Sequence, residues 1–187
     1  MTHPLIEIVG PDASGKTVLA EGLAERIGAK YVHLPSDADE VERVKIRASG
    51  DSHQLLEFYL GLNTKFTQEN ERVLQKQPVI VEPYFTSTVA SSILSGTGIT
   101  TSPHHIIQPD FQIYLRPTDW EEIERRLVER GEERKAHENI PYLQKLSQLY
   151  TAMLTQGNVL TIDATKLSVE ETLDLAEKEV KQLYTST

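Results

Sequence analysis

An eight-residue segment, Gly10-Pro11-Asp12-Ala13-Ser14-Gly15-Lys16-Thr17, constrains the fold of this chain more than any other feature. An apolar run over residues 5–9 precedes it. The residues that follow place Leu19, Leu23 and Ile27 at intervals of four, which is the spacing of one buried helix face. The pattern GxxxxGK[ST] between a strand and a helix is the context in which a glycine-bounded loop holds phosphate groups. We therefore expect a strand, a phosphate-binding loop and a helix over residues 5–27.

This loop predicts a binding site for a nucleoside triphosphate and Mg²⁺. Backbone N–H groups of such loops point into one concavity, and the helix N-terminus adds partial positive charge. Lys16 is expected to reach the β- and γ-phosphates, and the Thr17 hydroxyl is expected to ligate Mg²⁺. The residues predicted to surround the phosphates are Gly10, Asp12, Ala13, Ser14, Gly15, Lys16, Thr17 and Val18.

Composition restricts the classes of partner. With 187 residues the chain fits one domain, spanning 1–187, that can bury most of the surface its unfolded form exposes. Lys and Arg number 19 against 28 Asp and Glu, and the net charge of −9 argues against docking along a nucleic-acid backbone. The sequence has no cysteine, no apolar run that approaches a membrane span and no N-terminal secretory signal. We expect a cytoplasmic protein with no membrane partner.

Strand-like and helix-like segments alternate along the chain. Five strands and about seven helices predict an α/β fold, with three layers around a mostly parallel sheet, as in P-loop NTPases. Residues 78–81 are the clearest central strand, and Glu82 follows them. Ligands of open parallel sheets lie beyond the carboxyl ends of the strands, so Glu82 is expected near the phosphate loop. The alternative is a solvated carboxylate at a strand end.

An arginine-rich segment over about residues 125–139 predicts a lid. Arginines on a mobile segment can close over a triphosphate, stabilise the transferring group and exclude water. Arg130 and Arg134 are the strongest candidates for this role. The alternative is an exposed helix face whose arginines pair with neighbouring glutamates, because such pairs are common and contribute little stability.

Taken together, these motifs resemble the thymidylate kinase and deoxynucleoside kinase superfamily, from residue 6 to about residue 180. The phosphate loop is similar to that of thymidylate kinases and includes Asp12, an acid that in that family lies near the acceptor sugar and the metal. Glu82-Pro83-Tyr84 falls where thymidylate kinases carry Asp-Arg-Tyr and nucleoside kinases carry Glu-Arg-Ser. Residues 114–146, with the lid segment, resemble the deoxynucleoside kinases more closely.

The chain departs from both families directly after Glu82, where Pro83 replaces an arginine. In thymidylate kinases that arginine grips the acceptor phosphate, and in nucleoside kinases it helps at the reacting oxygen. Arg47 and Arg116 are candidates to substitute for it. A long helix predicted over residues 52–75 also lacks the Asp-Arg pair that thymidylate kinases use near the base, and it carries Asn63 and Lys65 in that region.

The resemblance implies a kinase that uses ATP and Mg²⁺ to phosphorylate a deoxynucleoside monophosphate of thymidylate type. With a phosphate acceptor Glu82 would hold Mg²⁺, and with a hydroxyl acceptor it would take the proton. Three alternatives stay open: a deoxynucleoside kinase acting on the 5′-hydroxyl, a kinase of a modified base in DNA, and a non-catalytic nucleotide-binding regulator. Relatives are often dimers, so a homodimer is expected by analogy. The candidates for catalysis are Lys16, Glu82, Arg130, Arg134 and Asp12.

Overall fold

The computed structural model describes residues 3–99, 105–131 and 138–185. Within these ranges strands and helices alternate, as the sequence pattern predicts. The elements are β1 (Leu5–Val9), α1 (Lys16–Ile27), β2 (Lys30–His33), α2 (Asp37–Ser49), α3 (Ser52–Asn70), β3 (Val79–Glu82), α4 (Phe85–Leu94), β4 (Phe111–Leu115), α5 (Trp120–Glu129), α6 (Ile140–Met153), β5 (Val159–Ile162) and α7 (Val169–Thr185).

The five strands form one parallel sheet in the order β2-β3-β1-β4-β5. The central strands β1 and β3 are buried along their whole length, as a sheet covered on both faces requires. Ile6 of β1 pairs with Ile80 of β3 on one side and with Phe111 of β4 on the other. The prediction of an α/β fold built on a five-stranded parallel sheet is therefore confirmed, and the described ranges contain seven helices.

Helices cover both faces of the sheet because alternate side chains of a strand point to opposite sides. On one face α1 and α7 pack in the cluster that contains Ile6. On the opposite face α3 packs against Leu5 through Phe66, while α4 and α6 pack in the cluster around Val9. In the described ranges, none of the helices is both long enough and apolar enough to cross a membrane.

The third helix is shorter than its apolar spacing predicts. The pattern indicates a helix over about residues 52–75, whereas α3 ends at Asn70 and residues 71–76 form turns. Asn70 is buried, and its amide donates to the Phe66 carbonyl oxygen and accepts from Lys30 Nζ, both at 2.8 Å. Because the amide is paired to the start of β2, it ties the end of α3 to the sheet.

The order of the strands opens a crevice at the carboxyl end of β1. After β1 the chain crosses to β2 and β3 on one side, whereas β4 and β5 lie on the other side. In open α/β sheets ligands bind where the winding direction reverses in this way. Two segments of interest meet at this edge: the loop over residues 10–15, which follows β1, and Glu82, which ends β3.

Candidate active site

The loop after β1 adopts the backbone conformation of a tight phosphate-binding turn. Ala13 and Gly15 have positive φ angles of 62° and 92°, and α1 begins at the next residue. Position 10 has room only for glycine, because a Cβ there would lie 2.6 Å from Ser14 Oγ and 2.9 Å from the Leu115 carbonyl oxygen. The loop therefore closes directly over the N-terminus of α1, where its N–H groups and the helix dipole favour an anion.

Lys16 folds back over this loop. Its Nζ donates to the Pro11 carbonyl oxygen at 2.8 Å and lies 3.8 Å from Asp12 Oδ1. Ser14 Oγ is buried and has no hydrogen-bond partner in the described part of the chain. A flexible ammonium and an unsatisfied buried hydroxyl suit a ligand that brings several acceptor oxygens. The residues that gather around these two groups are Gly10, Asp12, Ala13, Gly15, Thr17 and Val18.

Glu82 accepts three hydrogen bonds on one carboxylate oxygen. Thr17 Oγ1 donates to Oε1 at 3.0 Å, the Tyr31 hydroxyl at 2.7 Å and His33 Nδ1 at 2.8 Å. Burial raises the pKa of this carboxyl. The hydrogen bond from His33, the charge of Lys16 and the hydrogen bond from Tyr31 outweigh burial and hold the pKa below its usual range. Glu82 is therefore an ionised carboxylate, in contact with the hydroxyl predicted to ligate Mg²⁺.

Tyr31 and His33 are site residues that sequence reasoning missed. They alternate along β2, so both side chains lie on one face of the sheet. The parallel pairing of β2 with β3 sets His33 opposite Glu82. The same contact with Glu82 raises the pKa of His33 above its usual range. The available signal in the sequence was weak: two polar side chains, two residues apart, at the carboxyl end of a predicted strand.

A cavity of about 1200 Å³, hereafter the main cavity, opens beside the phosphate loop and Glu82. Pockets for one drug-sized ligand usually measure ~300–1,000 Å³, so this cavity has room for more than one chemical group. Helices α2, α3, α4 and α6 supply the remaining walls. Their polar contributions include Arg43, Arg47, Tyr59, Asn63, Ser87, Ser91, Tyr142 and Tyr150.

Helix α2 brings two arginines to the main cavity. Arg47 lines it, and its Nη2 donates to the Tyr59 hydroxyl at 3.2 Å. Arg43, one helical turn earlier, lines it as well. Of the two residues considered as substitutes for the arginine missing at Pro83, Arg47 therefore lies at the cavity. Arg116 is exposed and is not among the described residues that line it.

Helix α3 presents one of the two polar residues noted in the sequence. Asn63 is buried, lines the main cavity, and donates from Nδ2 to Thr88 Oγ1 at 3.0 Å. Lys65 is exposed instead, and its Nζ lies 3.8 Å from Asp39 Oδ1. The helical period explains the difference, because residues two positions apart point to different sides of a helix.

The arginine-rich segment divides between the surface and the site. Arg125 pairs with Glu122 and Glu129 on an exposed surface. Arg126 lines the main cavity, and its Nη2 donates to the Ala164 carbonyl oxygen at 2.8 Å. The expected alternative of a solvated face with arginine–glutamate pairs therefore describes Arg125. Arg126 also pairs with Glu122, at 2.7 Å, but it is less exposed, and its contact with Ala164 holds it between two elements beside the site.

Arg130 is the lid candidate that the structure describes. It lines the main cavity, and its Nη2 donates to Glu138 Oε1 at 2.8 Å. Glu138 is only 1% exposed, whereas the Arg130 side chain is 32% exposed, so a buried carboxylate holds an arginine that reaches solvent. Arg134 and most of the segment between these two residues lie outside the described residues, and the role of Arg134 stays a prediction.

A second cavity of about 310 Å³ adjoins the same loop. It shares Ala13, Gly15, Val18 and Arg126 with the main cavity. Its apolar walls come from α1, the end of β4, the segment after β5 and the start of α7, whereas α5 supplies the charged side chains of Glu122 and Arg125. A flat, weakly polar group joined to phosphates in the loop fits these walls. The remaining apolar side chains are Leu19, Leu115, Ala164, Leu167 and Val169.

The solved structures that superpose on this chain include kinases of nucleotides and nucleosides. Thymidylate kinase from Candida albicans superposes with a TM-score of 0.79 at 15% identity, covering 98% of this chain and 93% of that chain. Deoxyadenosine kinase from M. mycoides, with the products dCMP and a flexible dCDP bound, superposes with a TM-score of 0.72 at 14% identity. That match covers 95% of this chain and 99% of the other. At such identities the likeness establishes the fold.

Sequence comparisons carry the assignment further. A probable thymidylate kinase of Methanocaldococcus jannaschii is 25% identical over 87% of both chains. A cytidylate kinase of Geobacter sp. strain M21 is 27% identical and covers 95% of this chain and 93% of its own. The family model for thymidylate kinase matches residues 8–175, which include the phosphate loop, Glu82 and the arginines of α5. The chain belongs to the thymidylate kinase family and is a phosphotransferase of the nucleotide kinase type.

Proposed function

We propose that this kinase transfers the γ-phosphoryl group of ATP to a deoxynucleoside monophosphate, with Mg²⁺ as the metal. The observation that carries this proposal is the pair of arginines, Arg43 and Arg47, in the same cavity as the phosphate loop. A guanidinium binds two phosphate oxygens through parallel hydrogen bonds, which suits it to a phosphorylated acceptor. The two residues would take over the task of the arginine that Pro83 replaces.

ATP is the donor that membership of the family implies, and two features of the site support it. The phosphate loop and the N-terminus of α1 suit a triphosphate, toward which Lys16 can exchange its contact with the Pro11 carbonyl oxygen. The second cavity adjoins that loop and has the largely apolar walls that a nucleobase requires. Arg126 lies at the boundary of the two cavities, where it can contact the donor base or its phosphates.

Thr17 and Glu82 fit a magnesium ion. Mg²⁺ takes oxygen ligands and is usually held by one or two protein groups, several waters and the substrate phosphates. The Thr17 hydroxyl oxygen lies 3.0 Å from Oε1 of an ionised Glu82. The described part of the chain has no cluster of three or more His, Asp or Glu side chains that could hold a metal by itself. When bound, Mg²⁺ neutralises charge between the donor phosphates.

The chain's own residues then have distinct tasks. A phosphate acceptor presents an oxygen that is already ionised, so catalysis depends on positioning and charge stabilisation rather than on a base. Arg130, which lines the main cavity and is held by the buried Glu138, would stabilise the transferring group. Arg134 is proposed for the same task, and Asp12 for the acceptor sugar. Lys16 would hold the donor phosphates, and Arg43 with Arg47 would hold the acceptor phosphate.

ATP turnover across a panel of deoxynucleoside monophosphates and their matching nucleosides tests the proposal, with Lys16→Ala as the blank. We expect turnover with monophosphates. Arg47→Lys keeps the charge but loses the two-pronged donor, so the KM for the monophosphate should rise about 10-fold or more, with the KM for ATP unchanged. Arg72→Lys, at an exposed position away from the cavity, is the matched control. Equal effects of the two substitutions would contradict the role of Arg47.

A second candidate function is a deoxynucleoside kinase. The observation that favours it is Glu82, an ionised carboxylate at the cavity whose Oε2 accepts no hydrogen bond from the described residues. Such an oxygen could take the proton of a 5′-hydroxyl. In the same panel, turnover with nucleosides alone would select this function. Glu82→Gln would then remove turnover while binding of both substrates persists.

A further inference from the structure

Glu82 is held asymmetrically, and the asymmetry singles out one of its two oxygens. Oε1 accepts from Thr17, Tyr31 and His33, whereas Oε2 accepts no hydrogen bond from any residue that the structure describes. A carboxylate offers about four acceptor sites over its two oxygens. Oε1 is therefore fully occupied, and Oε2 is the oxygen that remains for a ligand in the main cavity, which Glu82 lines.

The three donors are not equivalent. Thr17 lies in the first turn of α1, directly after the phosphate loop, and its oxygen is committed to the metal in the proposed function. Tyr31 and His33 belong to β2, whose pairing with β3 holds them at fixed distances from Glu82. Groups carried by strands are positioned more firmly than groups on loops. Because the proposed metal takes the Thr17 oxygen, Tyr31 and His33 are the two donors that remain to hold Oε1 when a nucleotide is bound.

We propose that Tyr31 and His33 are positioning residues for phosphoryl transfer, which hold Oε1 of Glu82 so that Oε2 faces the metal and the reacting phosphates. The inference rests on the proposed function for the identity of the reaction. The arrangement of the carboxylate does not depend on which acceptor is used. Partners that orient a metal-binding carboxylate typically change metal affinity or activity about 10–100-fold when they are removed.

If His33 served only the stability of the fold, its removal would lower the free energy of unfolding. The structure favours the opposite expectation. Its side chain is 52% exposed, so it packs far less than the core side chains of the sheet. Its hydrogen bonds in the described chain are to Glu82 and, at 3.4 Å, to the Tyr31 hydroxyl. Removal of the imidazole should therefore leave the stability of the fold nearly unchanged, while Glu82 Oε1 keeps only Thr17 and Tyr31 as donors and is oriented less firmly.

The variants Tyr31→Phe, His33→Ala and His33→Asn test the proposal. Tyr31→Phe removes only a hydroxyl, and the Asn amide can place an N–H donor near the position of Nδ1. We expect kcat to fall about 10–100-fold in Tyr31→Phe and His33→Ala, with both KM values within about twofold of the wild type. His33→Asn should recover most of the loss. The double variant should lose less than the product of the single losses, because both residues act on one oxygen.

Two matched controls separate this effect from general damage. Tyr114→Phe keeps the ring and removes only a buried hydroxyl that contacts Ser147, from a residue that is not among those lining the main cavity. His53→Ala removes an exposed imidazole at the start of α3. Both controls should keep the wild-type kcat. Unchanged kcat in Tyr31→Phe and His33→Ala would overturn the proposal. So would a His33→Asn variant that behaves like His33→Ala.

A second measurement keeps the inference independent of the acceptor. Binding of Mn²⁺, used as the probe metal, is followed by electron paramagnetic resonance in the complex with a non-hydrolysable ATP analogue. We expect Tyr31→Phe and His33→Ala to weaken Mn²⁺ binding about 10–100-fold without weakening the analogue in the absence of metal. This result would support the positioning role even if no monophosphate is turned over. Unchanged Mn²⁺ affinity in both variants, or no Mn²⁺ site in the wild-type complex, would overturn it.

Discussion

At position 10 the phosphate loop has no room for a side chain. A Cβ there would lie 2.6 Å from Ser14 Oγ and 2.9 Å from the carbonyl oxygen of Leu115. The hydroxyl can rotate away, but the backbone oxygen belongs to strand β4 and cannot move without disturbing the sheet. The requirement for glycine therefore arises from a strand that lies far away in the sequence.

Gly10→Ala should destabilise the fold by about 1–3 kcal/mol and weaken ATP binding, because the loop must open to admit the methyl group. Gly61→Ala is the matched control, since nothing lies within 4 Å of a Cβ at that position in α3. It should gain about 0.5–1 kcal/mol from the helix preference of alanine. Urea unfolding and titration calorimetry measure the two effects. A Gly10→Ala variant that binds ATP like the wild type would contradict the geometry.

At the scale of elements, the buried carboxylate of Glu7 joins the central strand β1 to α4, one of the helices that line the main cavity. Glu7 of β1 accepts from the Thr86 backbone N–H at 2.9 Å, from Thr86 Oγ1 at 2.6 Å and from Gln112 Nε2 at 2.8 Å. Thr86 lies in the first turn of α4, so Glu7 satisfies a helix N-terminus from within the sheet. Burial raises the pKa of Glu7 above its usual range, although these hydrogen bonds lower it.

Glu7→Gln should therefore change how stability depends on pH. A raised pKa means that the folded state binds the proton more tightly than the unfolded state, so wild-type stability falls as pH rises through the folded pKa. The neutral amide lacks this loss. The advantage of Glu7→Gln in melting temperature should thus be small near pH 4.5 and grow toward pH 8. An advantage that shrinks over this range in thermal melts would contradict the assignment.

Glu7→Leu separates the hydrogen bonds from the charge. It leaves the Thr86 and Gln112 donors without their buried acceptor, so we expect a loss of about 1–3 kcal/mol that does not depend on titration of this position. Urea unfolding at pH 5 and pH 8 measures the loss. Equal stability of the Leu and Gln variants at both values would show that Glu7 does not anchor α4.

At the scale of the whole molecule, two cavities meet at one loop. Ala13, Gly15, Val18 and Arg126 line both of them. A donor whose base lies in the second cavity would direct its phosphates along the loop toward the main cavity, where α2 supplies its arginines. One ligand that carries a nucleoside at each end of a phosphate chain can therefore occupy both cavities.

A dinucleoside polyphosphate carries adenosine at one end and a deoxynucleoside at the other. It should raise the melting temperature more than either saturating ATP alone or the saturating monophosphate alone. Binding to the folded state at a hundred times Kd adds about 2.7 kcal/mol of stability. The linked ligand loses less translational entropy than two separate ligands. Thermal melts of wild-type and Lys16→Ala proteins measure the effect. No additional shift in the wild type would show that the cavities are not filled together.

Local patterns account for what could be predicted. The phosphate loop lies within eight residues. Its glycines allow the tight turn and its lysine can bind phosphate, and both properties can be read from the residues themselves. The central strands β1 and β3 are largely apolar because both faces of the sheet are covered there, and this made them recognisable. The end of α3 was predicted too late, because the apolar spacing continues past Asn70, whereas the buried amide pairs with Lys30 of β2. That pairing joins residues 40 positions apart and leaves no periodic signal.

The choice between Arg47 and Arg116 also depends on contacts between residues that are far apart in the sequence. Arg47 and Arg116 were both candidates in the sequence to substitute for the arginine that Pro83 replaces. The packing of α2 beside α3 places Arg47 at the main cavity, while Arg116 emerges from β4 into solvent. Nothing within a few residues of either arginine distinguishes them, because the distinction depends on how distant elements pack.

The sequence by itself determined the α/β fold, the phosphate loop and the arrival of an acid at the end of β3. These follow from hydrophobic periodicity and loop chemistry, which act over a few neighbouring residues. Only the tertiary structure decided which residues surround that acid. His33 and Glu82 are 49 residues apart, and they meet because β2 pairs with β3 rather than with β1. Strand order is a property of the whole packed chain, so no local pattern could place Tyr31 and His33 on one oxygen of Glu82.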